Sequence, residues 1–404
     1  MTKPLTFLCI STFFKGNEFL RSCKAAGNTV FLLTDKKIEH KPWAREATDE
    51  IFYVESDAQG HLNLNDVATG LAFVMRTRPI DRIVALDDFD VEKAAFLREH
   101  FRIPGMGQTT ARYFRDKLAM RMRAMYAGLR QPRFSALFSD AQINAFADSV
   151  EFPCLVKPRG EASATGITKV YGRDELWALL DTLGDRRHQF LVEQFRPGAV
   201  YHVDSLSVDG QQVFCQVSQY LDTPMEVAHG GGIFRSVTEP YGSDDERALR
   251  DFNQKLLKAF NMSYSASHSE FIKCHEDGQF YFLETASRVG GANLAEMVEA
   301  ASGINLWREW ANIESAMARG ETYQLPAVQP QYSGIIISLT RQQWPDAGGF
   351  NDPEIWWKMH DEYHVGLIVQ TTGRTRVMEL LDDYAQRIYA GFHASAPVGA
   401  KTLH

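Results

Sequence analysis

The sequence predicts an α/β protein that continues into an α+β region, and three observations support this prediction. Short β-rich runs alternate with a helix-sized segment in the first part of the chain, which is typical of a parallel, doubly wound sheet. From residue 189 to 284 the pattern changes to mainly antiparallel strands. After residue 326 further strands precede a final helix. A chain of 404 residues also exceeds one ordinary core, so two or three domains are expected.

The N-terminal part, residues 1–108, is predicted to form the doubly wound α/β domain. Its strand-like runs cover residues 5–10, 29–33 and 82–86. A helical segment at 17–26 ends at Gly27, a residue type that commonly terminates helices. Ligands bind at the carboxyl ends of parallel strands. This rule places residues 11–16, 34–35 and 87–88 along one rim of the sheet.

The central part, residues 109–325, and the last part, residues 326–404, are predicted to be two further domains. The central domain should contain helices at 109–127, 174–183 and 244–260, apolar strands after Pro132 and a glycine-containing loop at 159–166. The last part should be a small α+β extension. Its expected elements are strands at 334–337 and 365–369 and a helix at 378–390.

Composition and charge exclude several classes of function. With 45% apolar and 23% charged residues, the chain has the make-up of a globular protein in water. A net charge of -8 without a long basic tract argues against a nucleic-acid partner. The longest apolar stretches are strand-sized, and no signal-like N-terminus is present, which argues against a membrane partner. We therefore expect a cytoplasmic protein whose five scattered cysteines are reduced thiols.

Two carboxylates on neighbouring strands are the strongest local signal for chemistry. Glu270 and Glu284 lie in short apolar runs separated by a segment with the Asp277-Gly278 dipeptide, which is typical of a hairpin turn. Antiparallel pairing could bring both carboxylates to one site. Such hard oxygen ligands suit Mg²⁺, which takes one or two protein carboxylates and leaves other positions to water and phosphates. Two exposed acids on a solvated hairpin are the alternative.

Strand alternation assigns neighbours to these acids. Alternate side chains share a face, so His268 should lie with Glu270, and Phe280 and Phe282 with Glu284. An acid among aromatic residues is costly unless a cation compensates its charge. The pattern therefore also favours a bound cation.

Two further segments could bind a nucleotide. Lys157 ends an apolar strand and precedes a loop of small, hydroxyl and glycine residues, which can surround phosphate with N–H groups while the ammonium neutralises it. Residues 190–198 form a strand that leaves through Glu193 into a turn, where backbone groups can bind adenine. A surface loop and an ordinary strand end are the alternatives. Neither a Walker loop nor a Gly-x-Gly-x-x-Gly sequence occurs.

Taken in order, these motifs resemble the ATP-grasp superfamily. They are Thr109 to Lys117, Val156-Lys157-Pro158 with its loop, Val192 to Phe195, Glu270, and Leu283-Glu284 to Gly291. The resemblance covers roughly residues 1–320 and, more loosely, the tail. It implies an ATP-grasp fold with an N-terminal pre-ATP-grasp domain, a central ATP-grasp domain with a mobile nucleotide lid around 130–190, and a small C-terminal domain.

The resemblance also implies a nucleotide site. Lys117 and Lys157 would contact the phosphates of ATP. The loop from Ser163 through Thr165 to Gly166 would close over them. The adenine and ribose would be held by Glu193, Gln194 and Phe195, with Ile272 and Leu283 as apolar walls and His202 as a further contact. Lys117 as an exposed helix cation, and His202 and His268 as ordinary hydrogen-bonded strand histidines, are the alternatives.

The metal and the reacting groups follow from the same resemblance. Glu270 and Glu284 would hold Mg²⁺, or Mn²⁺ in its place. Arg288 would face the phosphoryl group and the reacting carboxylate beside the backbone of Gly290 and Gly291, with a buried ion pair of Arg288 as the alternative. A second loop, residues 222–236, would contact substrate through His229, Gly230 and Gly231. The family often has Asn where this chain has Ala286, so we expect water, a bidentate Glu284 or a single weakly held second ion instead of that ligand.

Among relatives, the chain looks most like L-amino acid ligases and similar carboxylate-amine ligases. This likeness implies an ATP-dependent enzyme that joins a small-molecule carboxylate to an amine through an acyl phosphate and releases ADP and phosphate. A homodimer is common in that family. Biotin carboxylase and carbamoyl phosphate synthetase, which use bicarbonate, are the runner-up. A nucleotide-binding sensor without turnover is a third interpretation, and Ala286 is its only support.

Overall fold

The computed structural model describes residues 4–57, 60–162 and 165–395, without the side chains of residues 228 and 229. The helices are α1 Asn17–Ala25, α2 Leu64–Met75, α3 Val91–Phe101, α4 Gln108–Arg112, α5 Lys117–Tyr126, α6 Asp140–Ser149, α7 Arg173–Leu183, α8 Pro224–Gly230, α9 Asp244–Ala259, α10 Leu294–Ser302, α11 Leu306–Arg319 and α12 Arg374–Gly391. The strands are β1 Thr6–Ile10, β2 Thr29–Asp35, β3 Glu50–Val54, β4 Arg82–Ala85, β5 Phe134–Ala136, β6 Cys154–Pro158, β7 Thr168–Val170, β8 Phe190–Gln194, β9 Gly198–Val208, β10 Gln211–Tyr220, β11 Phe234–Thr238, β12 Ser265–Cys274, β13 Phe280–Ala286, β14 Tyr332–Leu339, β15 Ile355–Lys358 and β16 His364–Thr371.

The N-terminal sheet is parallel, as predicted, with strand order β3-β2-β1-β4. Successive residues of β1 enter different cores: Phe7 packs with α1 and α11, and Leu8 packs with α2 and α3. Because both faces are covered, the strand is a continuous apolar run rather than an alternating one. Strand β3 was not predicted, since its residues are only half-buried.

A second sheet of four antiparallel strands, ordered β5-β8-β6-β7, lies within residues 134–194, and we call it the lid sheet. Helices α6 and α7 cover one of its faces through a core that includes Ile143, Phe146, Leu176 and Leu180. Helix α7 was predicted within one residue of its observed start, whereas α6 was not predicted. The lid sheet occupies the segment in which a nucleotide lid is expected.

The largest sheet has eight strands in the order β13-β12-β9-β10-β11-β14-β16-β15, and its neighbours are antiparallel. The C-terminal strands are part of this sheet, because β14 pairs with β11, with Phe234 opposite Ile337. The expected C-terminal extension therefore continues the central sheet instead of forming a sheet of its own. Helix α12 begins earlier than predicted and packs on β14 and β16 through residues such as Val377 and Leu381.

The helix predicted at 109–127 is two helices, α4 and α5, and the break between them positions a functional residue. Asp116 caps α5 by accepting hydrogen bonds from the backbone N–H groups of Leu118 and Ala119, which are otherwise unsatisfied in a first helical turn. Lys117 is thus the first residue of α5. In the part of the chain that the structure describes, no helix is long and apolar enough to span a bilayer.

Candidate functional site

A cavity of about 560 Å³ lies between the lid sheet, the β12–β13 hairpin and the N-terminal domain. Acidic and basic side chains enter it from all three sides. They include Lys157 from the lid sheet, Glu270 and Glu284 from the hairpin, and Asp88 from the N-terminal domain. The motifs that were predicted from separate parts of the sequence therefore meet at one site.

The hairpin places Glu270 directly opposite Glu284, which is the pairing that the sequence predicted. The register then shifts, because Phe271 pairs with Phe282 and leaves Leu283 as an extra residue in β13. The prediction that Phe282 shares a face with Glu284 is wrong for this reason. Phe282 is fully buried on the far side of the sheet, whereas Leu283 and Glu284 both line the cavity.

Glu270 is held by a hydroxyl and a cation. The Tyr220 hydroxyl donates to Glu270 Oε1 over 3.0 Å. His268 Nε2 lies 3.5 Å from the same oxygen, and its Nδ1 lies 2.8 Å from Asp204 Oδ1. Burial alone would lower the pKa of His268, but Asp204 outweighs it and the pKa rises to about 10. The imidazole is therefore protonated at neutral pH and fixes the position of Glu270.

Glu284 is paired with a lysine across the cavity. Lys117 Nζ lies 2.7 Å from Glu284 Oε2 and also donates to the backbone oxygen of Glu161 over 2.6 Å. Burial would raise the pKa of Glu284, yet the charges of Lys117, Lys157 and His268 lower it to about 2. Glu284 is thus ionised. Two adjacent carboxylates, one of them compensated by the Lys117 ammonium, fit the hard oxygen donors that Mg²⁺ prefers.

Lys157 lies in a buried network with Glu193 and Arg121. Both cations contact the Glu193 carboxylate: Arg121 Nε donates to Oε2 over 2.9 Å, and Lys157 Nζ donates to Oε1. Burial lowers the pKa of Lys157 to about 8, although Glu193 opposes the shift. Glu193 also lines the cavity, so its expected contact with ribose stays a prediction, although each of its oxygens already accepts a hydrogen bond from a cation.

The prediction that His202 contacts the nucleotide also has to be corrected. The residue is fully buried, with its Nδ1 2.7 Å from Asp204 Oδ2 and its Nε2 2.7 Å from Ser236 Oγ. Among the described residues that line the cavity, His202 is absent. The predicted nucleotide contact is wrong, and the structure shows the alternative, a strand histidine with ordinary hydrogen-bond partners. His268 differs, since it lines the cavity.

Most of the remaining expected nucleotide contacts are brought together. Thr165, Gln194, Phe195, Ile272 and Leu283 all line the cavity. Lys169 Nζ lies 3.7 Å from the centre of the Phe195 ring, which fixes that side chain at the cavity wall. Gly166 belongs to the same loop with a positive φ of 71°. The Ser163 prediction lies outside the described residues.

The expected substrate loop is only partly correct. Part of segment 222–236 forms helix α8, which begins with a capping box between Thr223 and Glu226. The described residues of this segment that line the cavity include Thr223 to Val227, at the start of the helix, rather than Gly230 or Gly231 at its end. The side chain of His229 lies outside the description.

Arg288 faces the N-terminal domain across the cavity. Its Nη1 donates to the backbone oxygen of Val289 over 2.9 Å, and its Nη2 lies 3.6 Å from Asp88 Oδ2. Burial would lower the pKa of Arg288, but Asp88 and Asp87 raise it above its usual value. The guanidinium is therefore charged, and its acidic neighbour is not at hydrogen-bonding distance.

The two glycines after Arg288 have different surroundings. A Cβ atom on Gly290 would lie 2.7 Å from Asp204 Oδ1 and 3.0 Å from His268 Nδ1, so only glycine allows the chain to pack against that pair. Gly291 lines the cavity. The backbone that reaches the cavity is thus that of Gly291, while Gly290 packs behind it against Asp204 and His268.

The sequence did not identify Tyr220, Asp204 or Asp88 individually as residues of the site. Asp88 belongs to the predicted ligand rim, so its position was available from the sequence. Asp204 and Tyr220 had no comparable signal, because they lie inside β9 and β10 and reach the site only through the pairing of β9 with β10 and β12.

The chain is similar in sequence to known ligases. A family model described as D-ala D-ala ligase C-terminus matches residues 122–225. The chain is 25% identical over 361 residues to an L-arginine-specific L-amino acid ligase of Bacillus subtilis, covering 85% of each chain. It is 24% identical over 182 residues to a D-alanine–D-alanine ligase of Neisseria meningitidis, where the match spans 45% of this chain and 59% of that relative.

A solved structure confirms the fold over its full length. The L-amino acid ligase from Bacillus licheniformis superposes with a TM-score of 0.71 at 15% identity, covering 97% of this chain and 99% of that one. The expected ATP-grasp fold is therefore confirmed.

Proposed function

We propose that this chain, an ATP-grasp ligase by fold and by its relatives, joins a small-molecule carboxylate to an amine and releases ADP and phosphate. One observation carries the proposal. Glu270 and Glu284 face each other on one wall of a cavity whose other walls hold Lys117, Lys157 and Arg288. This set provides oxygen ligands for a metal and cations for phosphates within one cavity.

The nucleotide would lie between the lid sheet and the hairpin. Lys157 and Lys117 supply positive charge for the phosphates, and Ile272 and Leu283 supply apolar walls for the base. Phosphate binding would compete with Glu193 and Glu284 for the two lysines. In the protein without nucleotide, both lysines therefore form ion pairs, which orient their ammonium groups towards the cavity.

Glu270 and Glu284 would hold Mg²⁺, supported by Tyr220 and His268 on the Glu270 side. When bound, this ion would neutralise charge on the transferring phosphoryl group. The protein's own contribution is to keep both carboxylates ionised and adjacent. Lys117 would release Glu284 as the metal binds and would remain available for phosphate.

The proposed reaction has two steps. First, a substrate carboxylate oxygen attacks the terminal phosphorus of ATP, the bond to ADP breaks, and an acyl phosphate forms. Second, the amine attacks the acyl carbon, phosphate leaves, and the nitrogen loses a proton. Arg288 and Gly291 line the cavity, and the guanidinium and the backbone N–H of Gly291 would donate to the developing oxyanion. The lid sheet and α8 would exclude water, which otherwise hydrolyses the acyl phosphate.

Product analysis tests this proposal. The protein is incubated with ATP, Mg²⁺ and pairs of amino acids and small carboxylates, and the nucleotide and organic products are separated chromatographically. We expect ADP, phosphate and a new amide in equal amounts. AMP with pyrophosphate would contradict the acyl-phosphate route. Bicarbonate-dependent turnover without an amide would favour the carboxylase-like reaction, and nucleotide binding without hydrolysis would favour a sensor.

A further inference from the structure

The lid sheet is joined to the rest of the chain at one of its two ends. Strand β5 begins at Phe134, which pairs with Glu193, and β8 ends at the next residue, Gln194. At the other end, β8 begins at Phe190, which pairs with Pro158 at the end of β6. A strand of five residues separates these two ends by roughly 13 Å. We call them the connected end and the free end, and the sheet can pivot about the first unless the second is held.

Arg159 follows β6 at the free end and contacts helix α5. Its Nε donates to Asp116 Oδ1 over 3.0 Å and its Nη2 donates to Oδ2, so the two side chains form a planar, two-point ion pair. Arg159 Nη1 also donates to the backbone oxygen of His188 over 3.1 Å, which fixes the guanidinium to the segment before β8. The ion pair therefore fastens the free end of the lid sheet to α5.

Helix α5 also contacts the connected end, through the ion pair of Arg121 with Glu193. Glu193 lies beside the point where the chain leaves the lid sheet, so this contact is close to the pivot and moves little when the sheet turns. Asp116 holds the end that moves furthest. The two ion pairs of α5 thus have different consequences, and the position of the lid sheet depends mainly on Asp116.

The residue after Asp116 is Lys117, and the same lid segment binds it. The backbone N–H of Lys117 donates to the backbone oxygen of Arg159 over 2.9 Å, and its Nζ donates to that of Glu161 over 2.6 Å. The ammonium has three donors, of which one is used on Glu161 and one on Glu284. The place of this ammonium in the cavity therefore depends on the contact between the free end and α5.

We infer that the ion pair of Asp116 with Arg159 is a latch that holds the free end of the lid sheet on α5 before nucleotide binds and thereby positions Lys117. The phosphate role of Lys117 rests on the proposed function, whereas the latch itself is a property of the free protein. Asp116 and Arg159 are then positioning residues, which act on the nucleotide through Lys117.

Hydrogen exchange of the nucleotide-free protein tests the latch. The N–H of Lys117 is at the first position of α5 and has no acceptor within its own helix, so its protection reports the contact with Arg159. Asp116→Asn keeps the helix cap, because asparagine caps as well as aspartate, and removes the charge. Arg159→Gln removes the other partner. Arg173→Gln is the matched control, since its ion pair with Asp148 joins α7 to α6 within the lid.

Exchange is read by mass spectrometry with electron-transfer fragmentation, and melting temperatures show that the variants are folded. We expect the Lys117 N–H to exchange roughly tenfold faster in Asp116→Asn and in Arg159→Gln, and to be unchanged in Arg173→Gln. Unchanged protection in both latch variants, or equal loss in the control, overturns the inference.

Calorimetric titration with AMP-PNP and Mg²⁺ tests the positioning of Lys117. We expect Asp116→Asn to weaken AMP-PNP binding several-fold in the parent protein and to have no further effect when Lys117→Ala is present, because the latch acts through that lysine. Asp116→Asn and Arg159→Gln together should lose no more than either alone. Equal losses with and without Lys117, or additive losses in the double variant, overturn the positioning role.

The exchange measurement contains neither nucleotide nor substrate, so its outcome is independent of turnover. If the Lys117 N–H loses its protection in the latch variants but the parent protein forms no product amide, the proposed function fails and the latch stands. If the parent protein forms the product amide and the protection of Lys117 is unchanged in both variants, the latch fails and the ligase proposal stands.

Discussion

The two ends of the cavity contain similar charged residues in different states. At the nucleotide end, Glu193 accepts hydrogen bonds from Arg121 and Lys157, and all three side chains are buried. At the substrate end, Asp88 and Arg288 lie 3.6 Å apart, and each has a buried atom without a hydrogen-bond partner among the described residues. Arg121 Nη1 and Nη2 at the nucleotide end also lack hydrogen-bond partners there, so the two ends differ in their carboxylates. Both oxygens of Glu193 accept a hydrogen bond from a cation, whereas Asp88 accepts none from the described residues.

From this difference we infer that the charges at the nucleotide end stabilise the fold, whereas the charges at the substrate end bind a ligand. A buried ion pair contributes little net stability when complete, but removing one member leaves an uncompensated buried charge. Removing a charged group that already lacks a partner costs the free protein less stability. A ligand that supplies the missing partner then contributes more binding free energy. Stability should therefore depend on the nucleotide end, and substrate recognition on the other.

The largest expected effect is on stability at the nucleotide end. Glu193→Gln removes the only acid that contacts Arg121 and Lys157 among the described residues, so we expect the free energy of unfolding to fall by about 3–5 kcal/mol. Urea denaturation followed by circular dichroism measures the change. Asp88→Asn, at the other end, should cost clearly less. Equal losses in the two variants would remove the distinction between the ends.

The second effect is on turnover at the substrate end. Arg288→Ala removes the guanidinium that we propose contacts the reacting groups, so we expect turnover to fall roughly 10²–10³-fold while ATP affinity stays within a few-fold. Arg288→Lys should not restore it, because an ammonium cannot form the planar two-donor contact. Steady-state kinetics, ATP titration and melting temperature are measured together. Parental turnover in a folded variant, or general unfolding, would exclude the catalytic role.

The sequence was sufficient to predict the parallel sheet, the antiparallel region and the pairing of Glu270 with Glu284. These features depend on periodicity and on a turn signal, which are local properties of the chain. The ATP-grasp fold followed from the order of the motifs. The expected lining residues Lys117, Lys157 and Arg288 also meet in one cavity.

Other features depend on the register and burial of the folded sheet, which no local pattern specifies. The bulge at Leu283 shifts Phe282 to the opposite face, and strict alternation cannot predict one extra residue. Glu193 was expected at the nucleotide because it lies at a strand exit, and the family resemblance implied the same for Glu193 and for His202. Their partners, Arg121 and Ser236, are distant in sequence, so only the folded structure shows that both side chains are already engaged.

The pH dependence of ATP binding tests the role of Lys157 at the nucleotide end. Burial lowers the pKa of Lys157 to about 8, so the free protein loses this positive charge as the pH rises above 8. Phosphate binds the charged form, and we therefore expect ATP affinity to fall by about tenfold per pH unit above 8. Lys157→Arg should keep its affinity over this range because arginine remains protonated. Calorimetric titration between pH 7 and roughly 9.5 measures both proteins. Parallel profiles would show that Lys157 does not contact phosphate.

The smallest expected effect concerns Ala286, between the two ends. Ala286 lies two residues after Glu284 in β13 and also lines the cavity, so a longer side chain there would point into the space beside the metal-binding carboxylates. Ala286→Asn adds one carbonyl oxygen where Mg²⁺ would otherwise take water. We expect the Mg²⁺ concentration for half-maximal turnover to fall a few-fold, whereas Glu284→Gln should raise it.

Ala286→Leu is the control for this substitution, because leucine has nearly the shape of asparagine and no oxygen. If the metal site is built on Glu270 and Glu284, only the oxygen should matter, and the asparagine and leucine variants should change the Mg²⁺ requirement in different ways. If both variants respond equally, the effect comes from volume in the cavity and the asparagine oxygen does not bind the ion. The buried neighbour Thr285, whose hydroxyl lies 2.8 Å from the Ser269 hydroxyl, is left unchanged in both proteins. The comparison therefore isolates one ligand atom beside Glu284.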